Sequence, residues 1–160
     1  MRIIVPAALA CVMLASPALA QDYSPPVGGP FYNTGGNENG YSFAAAGTIK
    51  REGSTATMTR VTMLAKVRTI EGLEVARLDT VMEYECEKVA MRPTLIGARG
   101  LDNGLLKVIP RPDQPWQNIT AEDPNSAFEL ELACNGIAPE GRPVFNDIDA
   151  RIKRYRETGQ

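Results

Sequence analysis

Histidine is absent from all 160 residues, which removes the side chain that most often serves as a general base near neutral pH. The sequence also lacks a Gly-rich phosphate loop, a nucleophile elbow and a spaced quartet of metal ligands. No positive feature favours catalysis. We therefore predict that the protein is not an enzyme and that it uses no cofactor and no metal ion.

Aromatic residues are also scarce, at 6% of the sequence, so the core must be built largely from aliphatic side chains, methionine and alanine. The formal net charge is only -2, which provides no broad positive field for nucleic acid or for an anionic membrane surface. No apolar run reaches the roughly 20 residues that a membrane span needs. These absences predict no nucleic-acid partner and no membrane-spanning segment once the N-terminal leader is removed.

The first twenty residues, 1–20, have the organisation of a bacterial signal peptide. Arg2 precedes an apolar run over residues 3–15, and Pro17 then breaks the helix before an end of small residues. A transmembrane anchor is the alternative, but the run is short and Pro17 interrupts it. The predicted cleavage site comprises Ala18, Ala20 and Gln21, with Gln21 as the first mature residue. We expect an exported protein, in the periplasm, at the outer cell surface or secreted.

Of the three cysteines, Cys11 lies in the predicted leader, and Cys86 and Cys134 remain after cleavage. An even number of cysteines in an exported chain indicates a disulfide bond. Two free thiols or a metal site are the alternatives, although a zinc site wants four nitrogen or sulfur ligands. A disulfide that closes a loop of this span stabilises the fold by roughly 4 kcal/mol at most.

The mature chain divides by composition into three parts. Residues 21–40 are rich in Gly, Pro and Asn, show no apolar period and are predicted to be a flexible segment. Residues 41–135 carry alternating patterns and are predicted to be the folded domain. Residues 136–160 are predicted to be a linker followed by an amphipathic helix. Within the domain we predict strands over residues 43–49, 55–67, 74–86, 89–98 and 105–109.

The strand over residues 74–86 shows the clearest alternation. Met82, Tyr84 and Cys86 share one face, which we expect to be buried. Arg77 and Asp79 share the opposite face, which we expect to be solvated. The same alternation explains the spacing of two carboxylate pairs, at residues 83 and 85 and at residues 129 and 131, as surface positions rather than acid–base pairs.

Residues 126–134 fit either a strand or a helix. Apolar residues alternate there, as in a strand, but Ser126 and Glu129 have capping-box spacing and Pro124 suits a helix start. We prefer the helix. A last helix, capped by Asn146 or Asp147, is predicted from an apolar stripe formed by Ile148, Ile152 and Tyr155.

A cluster of cations occupies that last helix. It can dock an acidic partner or can be an ordinary solvated helix face. The possible interaction residues are Arg151, Lys153, Arg154 and Arg156. Trp116 is interpreted as an anchor of the core or of its own loop.

The order of several short segments resembles the bacterial surface-adhesin protein E-like family, over residues 41–134. The segments are residues 48–53 (TIKREG), 83–86 (EYEC), 115–119 (PWQNI) and 126–134 (SAFELELAC). The resemblance implies an antiparallel sheet with a helix tied to it by the disulfide. It also implies a non-enzymatic surface role, binding host matrix or serum proteins, but no binding-site residues carry over to this chain.

The chain departs from that family pattern in two places. Residues 41–43 replace an early tryptophan, and the segment from Asn135 onward is an addition. With the resemblance, the expected fold class is α+β: an antiparallel sheet of about five to six strands, a helix tethered by the disulfide, and a C-terminal helix.

Two functional classes follow for a chain of this kind, and a third is kept for comparison. The first is an adhesin-like module that binds a protein partner through sheet edges or loops. The second is a periplasmic protein that binds a small ligand or an envelope partner. The third is a secreted hydrolase.

Overall fold

The computed structural model describes residues 24–138 and 140–158. The predicted signal peptide and its cleavage residues, Ala18, Ala20 and Gln21, lie outside these ranges. Within them the order of elements is β1 (Phe31–Asn37), β2 (Gly40–Glu52), β3 (Thr55–Ile70), β4 (Leu73–Glu85), β5 (Ala90–Arg99), β6 (Leu105–Pro110), β7 (Gln117–Asn118), α1 (Pro124–Asn135), β8 (Val144–Phe145) and α2 (Ile148–Thr158).

All strand pairs are antiparallel, and the main path across the sheet runs β6-β5-β4-β3-β2-β1-β8. The short β7 pairs with the first residues of β5 and continues the β6 side of the sheet. The predicted α+β class is confirmed. The described strands number eight rather than five to six, because β7 and β8 have only two residues each and show no period in the sequence.

The expectation of a flexible segment over residues 21–40 is wrong where the structure describes the chain. Residues 31–37 form β1, and the backbone before them is bound to β2: Ala46 donates to the carbonyl of Pro30 at 2.9 Å. A Cβ atom added to Gly47 would lie 2.2 Å from the carbonyl oxygen of Gly29. The glycines therefore allow close contact between backbones, and the folded part begins before residue 41.

Both faces of the sheet are covered, each by one helix. Ala44, Met58 and Tyr84 form one core with Phe128 and other residues of α1. A second core joins α2 to the opposite face and contains Phe43, Val61, Met63, Ile148 and Ile152. Because consecutive residues of a strand point to opposite faces, the neighbours Phe43 and Ala44 contribute to different cores.

This arrangement corrects the expected solvated face of β4. Arg77 and Asp79 are 3% and 0% exposed, because α2 covers that face. The period-two alternation along β4 is confirmed, and its polar side is buried because α2 packs against it.

The two predicted helices are confirmed. Asp123 caps α1 by accepting from the backbone N–H of Ser126 at 3.1 Å, with Pro124 in the first turn. The cap is thus Asp123 and not Ser126. Asp147 caps α2 by accepting from the N–H of Ala150 at 2.9 Å. Neither helix of the described ranges is long and apolar enough to cross a bilayer.

Candidate functional site

The predicted disulfide between Cys86 and Cys134 is present, with the two Cα atoms 5.8 Å apart. Cys86 directly follows β4, and Cys134 lies in the last turn of α1. The bond therefore fixes the C-terminal end of α1 to the sheet. Arg51 of β2 supports the same end, because its Nε donates to the carbonyl of Ala133 at 2.7 Å.

A buried polar cluster joins the middle of α1 to the sheet. The Nε of Arg60 donates to Oε1 and Oε2 of Glu129 at 2.9 and 3.0 Å, and its Nη2 also contacts Oε2. The hydroxyl of Tyr84 donates to Oε2 of Glu129 at 2.8 Å. The side chain of Glu129 is 1% exposed, so the prediction of a surface carboxylate is wrong for this residue. Glu131, its presumed pair, is exposed.

The electrostatics of this cluster follow from its burial. Burial alone would lower the pKa of Arg60, but the charge and hydrogen bonds of Glu129 outweigh it and raise that pKa above its usual value. Burial raises the pKa of the Tyr84 phenol well above its usual value, and the Glu129 carboxylate raises it further. Arg60 is therefore a cation and Tyr84 a neutral hydrogen-bond donor at neutral pH.

Beside this cluster lies an open cavity of about 350 Å³, which we call the polar cleft. It lies between the start of α1 and the glycine-rich stretch of β1, β2 and β3. A Cβ atom added to Gly35 would lie 2.5 Å from Nδ2 of Asn125, so Gly35 permits this close approach of strand and helix. The cleft is lined by Thr34, Gly35, Gly36, Asn37, Asn39, Gly40, Ser42, Arg60, Thr62, Leu64, Arg68, Asp123, Asn125, Ser126 and Glu129.

A second buried ion network lies on the opposite face and holds α2 to the sheet. Arg77 donates from Nε to Asp79 at 2.7 Å and from Nη1 to Asp149 of α2 at 2.6 Å. Arg99 donates from Nε to the other oxygen of Asp79. The two arginines thus share one fully buried carboxylate, and the network is a packing feature between α2 and the sheet.

The four cations predicted as a cluster on α2 have different surroundings. The guanidinium of Arg151 lies 5.1 Å from the centre of the Phe145 ring. Arg156 donates from Nη1 to the carbonyl of Leu101 at 2.9 Å, and burial lowers its pKa. Lys153 and Arg154 are exposed. The role of this cluster in binding a partner stays a prediction.

The outer edge of the sheet at β6 has a different character. β6 is the last strand of the main path, and its outer side pairs with no other strand of the described residues. Leu105 and Leu106 are 41% and 42% exposed, and the flanking Leu101 and Trp116 are 56% and 38% exposed. Four of the nine exposed large apolar side chains in the described ranges therefore belong to β6 and its flanking loops.

Trp116 belongs to neither core, so of the two expected roles only that of an anchor of its own loop stays a prediction. Its ring lies on the surface, with the guanidinium of Arg92 4.4 Å from the ring centre. Arg92 also donates to Glu83 at 2.7 Å. Tryptophan and arginine are the residues most enriched among the dominant contacts of protein interfaces.

One hydrogen bond shows which residues of β6 direct their backbone N–H and C=O groups away from β5. Arg111 donates its N–H inward to the carbonyl of Thr94 at 2.8 Å. Because alternate residues of an edge strand turn their backbone groups to opposite sides, Val108 directs its N–H and C=O outward. Pro110 also falls at an outward position, where its missing N–H costs no hydrogen bond within the sheet.

In the part of the chain that the structure describes, no three carboxylate or cysteine side chains are grouped so that they could hold a metal ion. Comparisons with protein-family models, with curated proteins and with solved structures found no match to this chain. The resemblance to the surface-adhesin protein E-like family therefore stays a prediction.

Proposed function

We propose that the protein is an exported, non-enzymatic, adhesin-like module of the bacterial envelope that binds an extended strand of a partner protein along the outer edge of β6. We call residues Leu105–Pro110 the docking edge. The observation that carries the proposal is the coincidence of an open strand edge with the exposed side chains of Leu101, Leu105 and Leu106.

An open edge offers backbone groups that a strand of another chain can pair with. At the docking edge the N–H and C=O of Val108 serve this role. Leu105 and Leu106 are both exposed at the start of the strand, beside a register irregularity opposite Ala98 and Arg99, so a partner strand finds apolar side chains there. Trp116 lies farther along the same side of the sheet, against Arg92 near the start of β5, whereas Leu105 pairs with Arg99 at its end.

Two features limit how far a partner can pair. Lys107 forms an ion pair with Glu71 at the turn between β3 and β4, and Pro110 offers no N–H. Charged residues and proline on an edge strand oppose uncontrolled edge-to-edge association. They favour a short, reversible docking segment over continuous sheet growth.

The disulfide supports the exported setting of this proposal. Disulfides persist in the periplasm and outside the cell and are rare in the reducing cytosol. The predicted leader over residues 1–20 indicates export from the cytosol. The bond between Cys86 and Cys134 indicates the same oxidising compartment.

The proposal is tested by placing a photo-crosslinking amino acid at Leu106 of the full chain in living bacteria. We expect a discrete adduct with one partner protein. The same amino acid at Ile137, which is 58% exposed but distant in sequence from β6, serves as the control. Equal adducts from both positions, or none from Leu106, would refute docking at this edge.

A pair of backbone variants separates strand pairing from simple apolar contact. Val108→Pro removes the outward N–H without removing a hydrogen bond to β5, and Val108→Thr keeps that N–H. We expect the Leu106 adduct to be lost in the proline variant and retained in the threonine variant. An adduct with the mass of two copies of this chain would show that the edge pairs with itself and would contradict the proposal of a separate partner protein.

A further inference from the structure

Independently of the docking edge, we propose that the polar cleft binds a small polar ligand through an oxyanionic group, such as a carboxylate or a phosphate. The cavity of about 350 Å³ falls within the range of small-molecule sites, and among the described residues that line it Leu64 is the only large apolar one. Such a lining suits a ligand that forms hydrogen bonds rather than an apolar one.

Most side-chain hydrogen-bond acceptors of the cleft already accept from donors of the protein itself. Oδ1 of Asn37 accepts from the N–H of Asn39 at 2.8 Å. Oδ1 of Asn39 accepts from Nη2 of Arg68 at 2.6 Å. Both oxygens of Glu129 are bound by Arg60 and Tyr84. These contacts also fix which end of each Asn amide carries the nitrogen.

The groups that remain for a ligand are mainly N–H donors. Asn37 and Asn39 retain their Nδ2 groups, and Arg68 retains Nε and Nη1. Arg60 is held by Glu129 through Nε and Nη2, which leaves Nη1 without a partner among the described residues. A surface on which donors outnumber free acceptors is complementary to an oxyanion, and charge-assisted hydrogen bonds are the stronger kind.

The cleft also contains polar groups that are buried at its wall. Thr34 is 1% exposed and Ser126 is 4% exposed, and both line the cavity. Two hydroxyl-bearing side chains therefore belong to the wall of the cleft.

One charge in the cleft opposes an anion. Asp123 lines the end next to α1, and its hydrogen bonds from the Ser126 side chain and backbone lower its pKa, which keeps it ionised. Glu129 is already paired with Arg60. The remaining charged side chains of the cleft are Asp123, which is negative, and Arg68, which is positive. The oxyanion is expected at the Arg68 end of the cleft, and directed donors rather than net charge provide recognition.

The test uses the mature, disulfide-bonded protein titrated with sodium phosphate and, separately, with sodium acetate, at constant ionic strength kept with chloride. Amide chemical shifts measured by NMR identify the site. We expect saturable shifts confined to residues 34–42, 60–68 and 123–129. The two anions distinguish phosphate ligands from carboxylate ligands by which one binds more tightly.

Three variants make the result specific. Arg68→Gln removes a donor cation and is expected to weaken binding about tenfold. Asp123→Asn keeps a good helix cap, removes the opposing charge and is expected to strengthen binding by a few fold. Lys88→Gln makes the same charge change at a residue that is 79% exposed and outside the cleft, so affinity should not change.

Some results would overturn the proposal. Shifts that grow linearly without saturation for both anions, or that spread over the whole surface, would show no site. An equal loss in the Arg68 and Lys88 variants would show general charge screening instead of recognition. Both variants lie at exposed positions, so their folding can be verified from unchanged spectra outside the cleft.

Discussion

The buried Glu129 in the middle of α1 and the partly exposed Arg60 in β3 form an ion pair, with the Nε of Arg60 within 3.0 Å of both carboxylate oxygens. The pair also forms one wall of the polar cleft. With the disulfide at the end of the same helix, it fixes α1 against the sheet at two points. The geometry of the cleft therefore depends on a contact between residues 69 positions apart.

The first prediction concerns this ion pair. Glu129→Gln removes the charge that compensates the partly exposed Arg60 and should lower the free energy of unfolding by about 1 to 3 kcal/mol. Urea denaturation measures the loss. Glu131→Gln changes the same residue type on the exposed side of α1 and should cost less than about 0.5 kcal/mol. Equal effects of the two variants would contradict the structural role of Glu129.

The second prediction concerns Tyr84 at high pH. Because its pKa is raised in the folded state, the folded protein favours the neutral phenol. This contribution to stability is complete below the unfolded-state pKa of about 10 and is lost as the pH rises above it. We expect the wild-type urea midpoint to fall more steeply between about pH 9 and 11 than that of Tyr84→Phe. Parallel pH profiles for the two proteins would rule this out.

The third prediction concerns the disulfide. Reduction, or the double substitution of Cys86 and Cys134 by alanine, should destabilise the fold by up to roughly 4 kcal/mol, since a bond spanning 48 positions restricts the unfolded chain. Denaturation with and without reductant measures this. Peptide mapping by mass spectrometry should find the two cysteines linked in native material. Unchanged stability after verified reduction would show that the bond has no structural role.

The fourth prediction concerns export. N-terminal sequencing of protein from the envelope fraction should begin at Gln21, because signal peptidase recognises the small residues Ala18 and Ala20 and cleaves after Ala20. Replacing Ala20 by a large residue such as tyrosine should block this cleavage and leave the longer form. A mature protein that retains Met1 at its N-terminus, without that substitution, would be incompatible with the predicted leader.

Local patterns were sufficient for most elements. The period-two alternation of β4, the turn residues between β3 and β4, and the apolar stripe of Ile148 and Ile152 each depend on near neighbours in the chain. The pairing of Cys86 and Cys134 was also predictable, because only two cysteines remained to pair. β1 was missed because its Gly and Asn residues form a strand only when β2 lies beside it.

The candidate sites could not be read in the same way. The spacing of residues 129 and 131 predicts two surface carboxylates, whereas the helix turns Glu129 toward Arg60 and leaves Glu131 exposed. The free donors of the polar cleft follow from which amide oxygens are already occupied. That depends on contacts such as Arg68 with Asn39, across 29 positions of the chain.

The sequence by itself determined the α+β class, the two helices, the bridging cysteines and an expected route of export, because periodicity, residue type and cysteine number are local or countable properties. Only the tertiary structure decided that both faces of the sheet are covered, that Arg77, Asp79 and Glu129 are buried, and that no strand of residues 24–138 and 140–158 pairs with the outer side of β6. These are properties of long-range packing. A polar residue has the same identity in the chain whether water or an oppositely charged partner compensates it, and the fold alone decides between the two.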